Sequence, residues 1–82
     1  HDEIAAAFRG LHWQWIDTFA LGDGFPDGLV HKRGVVILIE VKNGDKATFT
    51  KAEKEFRQKY EGEYRVVRTV GEVMDIEREF FG

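Results

Sequence analysis

Val35-Val36-Ile37-Leu38-Ile39-Glu40-Val41-Lys42 is the stretch on which the reading of this 82-residue chain turns. Five consecutive apolar residues, four of them β-branched, predict a central strand buried on both faces. The run is far shorter than the ~20 residues a membrane-spanning helix needs. Glu40 is the anomaly, because an ionised carboxylate in a central strand is costly unless paired or bound to a metal. Side chains alternate along a strand, so Glu40 and Lys42 project from the same face. On its own, Glu40-x-Lys42 is equally well explained by a structural ion pair.

Upstream, Asp27 to His31 predicts a strand that turns back onto this one as a hairpin. A two-residue Arg33-Gly34 loop pairs Lys32 with Val35 and sets Asp27 directly opposite Glu40. A three-residue Lys32-Arg33-Gly34 loop with a glycine bulge would move Asp27 one place off. In the two-residue register, two carboxylates and a lysine share one sheet face. Close carboxylates repel unless a cation lies between them. Hard oxygen donors without cysteine or histidine suit Mg²⁺ or Mn²⁺. Such an ion can bind a phosphate oxygen and lower the pKa of an attacking water. Lys42 would then orient or deprotonate that water, or screen the charge that grows in the transition state.

The flanking sequence supplies the other elements. Asp2 to Leu11 reads as a helix, with Ile4, Ala7, Phe8 and Leu11 on one face. Trp13 to Phe19 alternates like a strand, and Gly22 to Pro26 is a turn. Asn43-Gly44 ends the decisive strand and opens a polar loop. Thr50-x-x-Glu53 is a capping box that starts a helix through about Tyr60, with Gly62 as its stop signal. Tyr64 to Arg68 is a short strand. Thr69-x-x-Glu72 repeats the capping-box spacing and opens a last helix, with Val73, Ile76 and Phe80 on one stripe. The order is helix, three strands, helix, strand, helix. The helix between the third and fourth strands fits a right-handed crossover to a parallel neighbour. A small α/β layer with a mixed sheet follows.

Composition narrows the chemistry. Hydrophobic residues at 43% and charged residues at 33% are those of a folded domain, and the length allows one. The chain has no cysteine, which removes disulfides, thiolate zinc sites and cysteine nucleophiles. It has no serine for a Ser-His-Asp arrangement, and His1, His12 and His31 are too scattered to suggest a metal cluster. The net charge of −3 is unevenly spread: residues 32–68 hold ten Lys/Arg against six Asp/Glu, a balance of +4. A basic middle permits contact with a polyanion, and a solvated charged face explains it as readily. Trp13 and Trp15 suit the core or a dimer interface better than base stacking, and Asp17 reads as a strand-end polar residue. With neither a leader pattern nor an apolar span, a cytoplasmic location is expected.

These residues resemble a known family. Pro26-Asp27 followed by Glu40-Val41-Lys42 is similar to the signature of the PD-(D/E)xK nuclease superfamily. Gly22-x-Gly24-x-Pro26-Asp27, Ile39-Glu40-Val41-Lys42, the capped Thr50-x-x-Glu53 helix and Tyr64-Arg65-Val66-Val67-Arg68-Thr69 resemble the small VRR-NUC (virus-type replication-repair nuclease) domains common in phages. The resemblance covers nearly the whole chain. It implies one nuclease domain over residues 1–82 with a restriction-endonuclease-like core, αβββαβ plus a C-terminal helix. It further implies a metal-dependent endonuclease, acting on DNA in a phage or its bacterial host cell, with Mg²⁺ or Mn²⁺ held by Asp27, Glu40 and the Val41 carbonyl. Lys42 is the implied catalytic lysine. Glu3 matches a further acid of the first helix, and a first-turn acid favouring the helix dipole explains it equally. Relatives often carry a glutamine early in the helix after the Glu-x-Lys strand. Here Glu53-Lys54 stands in that neighbourhood, with Glu53 read as the partner of the Thr50 cap. Lys46, Lys51, Lys54 and Arg57 are the expected DNA phosphate contacts. A homodimer presenting two sites is expected, since one chain spans little DNA. The rival readings are a non-catalytic nucleic-acid-binding module of the same fold and a small α/β interaction domain with a purely structural Glu40–Lys42 pair.

Overall fold

The computed structural model describes residues 2–44 and 48–82. The chain runs α1 (Asp2–Gly10), β1 (Gln14–Asp17), a 3₁₀ turn (Phe19–Leu21), β2 (Gly28–Lys32), β3 (Val35–Val41), α2 (Lys51–Lys59), β4 (Glu63–Val67) and α3 (Val70–Phe81). The four strands form one sheet in the order β1-β2-β3-β4. β2 pairs antiparallel with both β1 and β3, whereas β4 lies parallel to β3. The fold is therefore mixed α/β with a four-stranded mixed sheet.

The hairpin closes through the two-residue loop. Lys32 pairs with Val35, and Arg33 (φ 49°) and Gly34 (φ 87°) both lie in the left-handed region. Positive φ at both central residues is what a primed turn needs to match the twist of its strands. The register continues to Gly28 opposite Ile39, so the next position places Asp27 opposite Glu40.

One sheet face carries the core. Ile37 and Ile39 of β3, Val30 of β2 and Val67 of β4 are buried against Ile4 and Phe8 of α1 and Val73 and Ile76 of α3. Trp13 is buried with them, edge-on to Phe8, Phe80 and Phe81. Phe80 itself packs against this core only partly buried. The opposite face carries Leu38, Glu40 and Tyr64, with α2 beside them. Aromatic rings join α2 to this face: Phe56 meets Phe25 at 5.0 Å and Tyr64 at 6.2 Å.

Three local expectations change. The first strand is shorter than 13–19, because His12 takes a left-handed conformation (φ 71°) that turns Trp13 into the core, and the chain curls into the 3₁₀ turn after Asp17. β3 is buried only in part, since Val36 is 46% exposed near the hairpin end. At Thr69 the hydroxyl accepts the Glu72 N–H as an N-cap should, but the Glu72 carboxylate accepts from Arg68 rather than from Thr69. The reciprocal half of that capping box is thus displaced by one residue.

Candidate functional site

Asp27 is held by its backbone before its side chain acts. Thr18 donates its hydroxyl to the Pro26 carbonyl at 2.7 Å and its N–H to the Asp27 carbonyl at 2.9 Å. Asp27 lies just before β2, and its carboxylate Oδ2 accepts the Val41 N–H at 2.8 Å. The carboxylate thereby gives the Val41 N–H an acceptor at the end of the β2–β3 ladder, where the Pro26 carbonyl is already engaged by the Thr18 hydroxyl.

Glu40 and Lys42 emerge from the same face of β3, as the alternation predicts. Glu40 is 3% exposed, and Lys42 Nζ stands 3.3 Å from its Oε2. The same ammonium is 3.0 Å from Glu53 Oε1. Glu53 does what its sequence position predicts, accepting the Thr50 N–H at 2.8 Å while its own N–H binds the Thr50 hydroxyl. Its carboxylate also accepts from Lys42 and lies close enough to Glu40 for each to act on the other's charge. The capping box of α2 is therefore part of the site. Sequence reasoning misses that double role because a capping-box Glu needs no partner outside its own helix. The available signal is the helix start that follows the Glu-x-Lys strand.

The charges explain one another. Burial, then the nearby Asp27 and Glu53 carboxylates, push Glu40 up to about 7, against the pull of Lys42. Burial also raises Asp27, opposed by the Val41 N–H and Lys42, while Glu53 and Asp17 add to the rise. Asp17 pairs with Gly28 and so shares the parity of Trp15 rather than that of Asp27, and its Oδ1 accepts the Phe19 N–H as a strand-end group. Burial opposes the charge on Lys42, yet Glu53 and Glu40 outweigh it and hold the ammonium above its ordinary pKa. Burial opposes the charge on Glu53 too, but the Thr50 N–H, Lys42 and Glu40 together lower it. Fully ionised, three carboxylates against one ammonium give the cluster a negative balance.

The donors fit a hard divalent ion in kind. Asp27 and Glu40 are paired in register with carboxylates on one face, and Val41 adjoins both. Among the described residues no three Asp, Glu or His side chains stand ready to hold a metal ion. A cation here would take two carboxylates and complete its coordination with the Val41 carbonyl and water, as Mg²⁺ commonly does.

The remaining predicted residues lie around this centre. Glu3 lines a cavity of about 280 Å³ with Ile4, Val41, Asn43, Arg68, Thr69 and Val70. That cavity lies on the side of β3 that faces α1 and α3, away from Glu40 and Lys42. Lys51, Lys54 and Arg57 are exposed on α2, and Lys54, Arg57 and Gln58 line one open groove. The Arg57 guanidinium lies over the rings of Phe49 at 4.3 Å and Tyr64 at 5.3 Å. Lys46 falls outside the described residues. Trp13 is spent in the core, its Nε1 donating to Glu77 at 2.9 Å, and half-buried Trp15 packs on Phe8. No described helix is long and apolar enough to cross a membrane. Comparison with protein-family models, with curated proteins and with solved structures gave no match.

Proposed function

We propose that the protein is a metal-dependent nuclease that hydrolyses phosphodiester bonds in DNA, with a restriction-endonuclease-like core. The observation that carries this reading is Asp27 set opposite Glu40 on one sheet face, with Lys42 beside them and net negative charge left over for a cation. Asp27 and Glu40, with the Val41 carbonyl, would hold Mg²⁺ or Mn²⁺. Bound there, the ion supplies Lewis acidity toward a phosphate oxygen and makes a coordinated water more acidic.

The chain's own residues do the rest. Val41 N–H fixes the direction of the Asp27 carboxylate, and burial in β3 fixes Glu40. Lys42 is held charged by Glu53 and Glu40, so it serves best as a fixed positive group facing the charge that develops on the phosphate. Glu53, moored to Thr50, sets where that ammonium stands. Lys51, Lys54 and Arg57 on α2 supply positive charge for the phosphates on either side. The molecule is 33 Å along its longest axis, about one turn of duplex DNA, so a homodimer would present two sites over a longer substrate.

Incubation with single-stranded, duplex, flap and four-way-junction DNA, with and without Mg²⁺ or Mn²⁺, tests the proposal. Cleavage that needs the ion is expected, and the preferred substrate reports whether branched DNA is favoured. One observation favours a second reading, a non-catalytic nucleic-acid-binding module: Lys42 already neutralises part of the acid cluster by pairing with both Glu40 and Glu53. Salt-sensitive DNA binding with no cleavage on any of these substrates would select it.

A further inference from the structure

Among the described residues, one buried side-chain polar atom lacks a hydrogen-bond partner, the hydroxyl oxygen of Tyr64. Buried hydroxyls are nearly always paired, so an orphan beside a dense polar cluster demands a physical reason. Tyr64 sits on β4 next to Leu38, one same-face step before Val66 meets Glu40. Its side chain therefore rises from the face that carries Glu40 and Lys42. α2 closes over the ring, with the Phe56 ring 6.2 Å away and the Arg57 guanidinium at 5.3 Å.

The ring is fixed by this packing, and its hydroxyl is not needed for it. Burial, then the negative charge of Glu40, raises the phenol well above its ordinary pKa, with Glu53 and Asp27 adding to the rise against Arg57. It stays protonated and is no metal ligand at neutral pH. A protonated phenol can both donate and accept. The carboxylates nearby have other commitments: Asp27 accepts from Val41, Glu53 accepts from Thr50 and Lys42, and Glu40 pairs with Lys42.

We propose that Tyr64 is a positioning residue of this site, its hydroxyl hydrogen-bonding a water carried by the divalent cation at Asp27 and Glu40. This inference rests on the metal-site reading above and goes beyond it by assigning a residue outside the Asp…Glu-x-Lys set. Mg²⁺ held by one or two carboxylates keeps several waters. Groups that orient a metal's ligands from outside its coordination sphere change affinity or activity by ~10–100-fold. An amphiprotic group rising from the same sheet face, one pair away from Glu40, is suited to that task.

Tyr64→Phe in the whole chain keeps the ring and removes only the hydroxyl. Three quantities are read: thermal stability in EDTA, Mg²⁺ affinity by calorimetry, and the Tyr64 ¹³Cζ NMR resonance across a Mg²⁺ titration. The variant is expected to melt in EDTA at or above the wild-type temperature and to bind Mg²⁺ about tenfold more weakly. The wild-type resonance, assigned by its loss in the variant, is expected to move with Mg²⁺ and to stay still in Glu40→Gln. Equal Mg²⁺ affinity in wild type and Tyr64→Phe overturns the role of Tyr64 while leaving the metal site standing. A lower melting temperature in EDTA with unchanged affinity also overturns it, by showing a purely structural hydroxyl. If the wild-type chain binds neither Mg²⁺ nor Mn²⁺, the metal-site reading fails first and the role of Tyr64 falls with it.

Discussion

At Glu40, burial and two neighbouring carboxylates act against the charged form, and Lys42 acts for it. This balance is what separates a lysine that only neutralises from one that participates in chemistry. A neutralising lysine becomes redundant once a cation occupies the same carboxylate, and Lys42→Met would then cleave normally at saturating Mg²⁺. A lysine facing the charge on the phosphate cannot be replaced by more metal. We expect Lys42→Met to bind DNA in Ca²⁺ as wild type does and to lose at least ~10²-fold in single-turnover rate. Recovery of the rate at high Mg²⁺ would reduce Lys42 to a charge balancer. Much of this centre is legible from residues alone. The parity of Glu40 and Lys42 follows from strand geometry, and the position of Asp27 follows once the loop is two residues long. The reach of Glu53 to Lys42 and the orphaned Tyr64 hydroxyl are not legible. Both depend on how α2 settles against β3 and β4, which no local pattern encodes.

The first turn of α2 is met by the loop that precedes β2. Gly24 (φ 82°) passes so close that a Cβ there would lie 2.3 Å from the Ala52 carbonyl oxygen and 2.8 Å from the Glu53 nitrogen. Gly24→Ala therefore meets a backbone clash as well as an unfavourable left-handed conformation. It should destabilise the fold by ~2 kcal/mol or more in urea unfolding. It should also slow cleavage, because the displaced group carries Glu53. A stable and fully active Gly24→Ala would show that this close approach does not position the site. The outer side of α2 makes a separate prediction about DNA. For each of Lys51, Lys54 and Arg57 that pairs with a phosphate, replacement by alanine should reduce the slope of log affinity against log salt by ~0.7–0.9. An unchanged slope in the triple alanine variant would place the DNA on another surface. Elements with strong end signals, such as Thr50-x-x-Glu53 and Arg33-Gly34, are legible in the sequence. The Trp13–Phe19 alternation overruns its strand, because the left-handed His12 and the core's demand for Trp13 outweigh the period-two pattern.

Across the molecule, α3 is tied to the hairpin by one polar cluster on the core side. Lys32 Nζ lies 2.8 Å from Glu77 Oε1 and donates to the Leu11 carbonyl at 2.8 Å, while Trp13 donates to the same Glu77 oxygen. Lys32, opposed by burial and helped by Trp13, holds Glu77 below the ordinary carboxylate value of 4.5. A carboxylate with a depressed folded pKa adds stability above its unfolded pKa and loses it as pH falls through the folded value. Wild type should therefore lose stability more steeply than Glu77→Gln below pH 4.5, as urea midpoints across the acid range up to neutrality would record. Parallel curves would remove Glu77 from the acid response. This tie lies on the face opposite the acid cluster, so it should set stability without changing the cleavage chemistry.

If Asp27 and Glu40 hold a catalytic cation, the effect is read in cleavage of end-labelled DNA by wild type and Glu40→Gln, side by side in Mg²⁺ and in EDTA. Glutamine keeps the shape of the side chain and removes a charge that burial, Asp27 and Glu53 disfavour, so the variant should fold with unchanged or slightly higher stability. Wild type should cleave in Mg²⁺ and not in EDTA, and Glu40→Gln should cleave in neither. Equal cleavage by both proteins, or cleavage by wild type that persists in EDTA, would contradict that role of the two carboxylates.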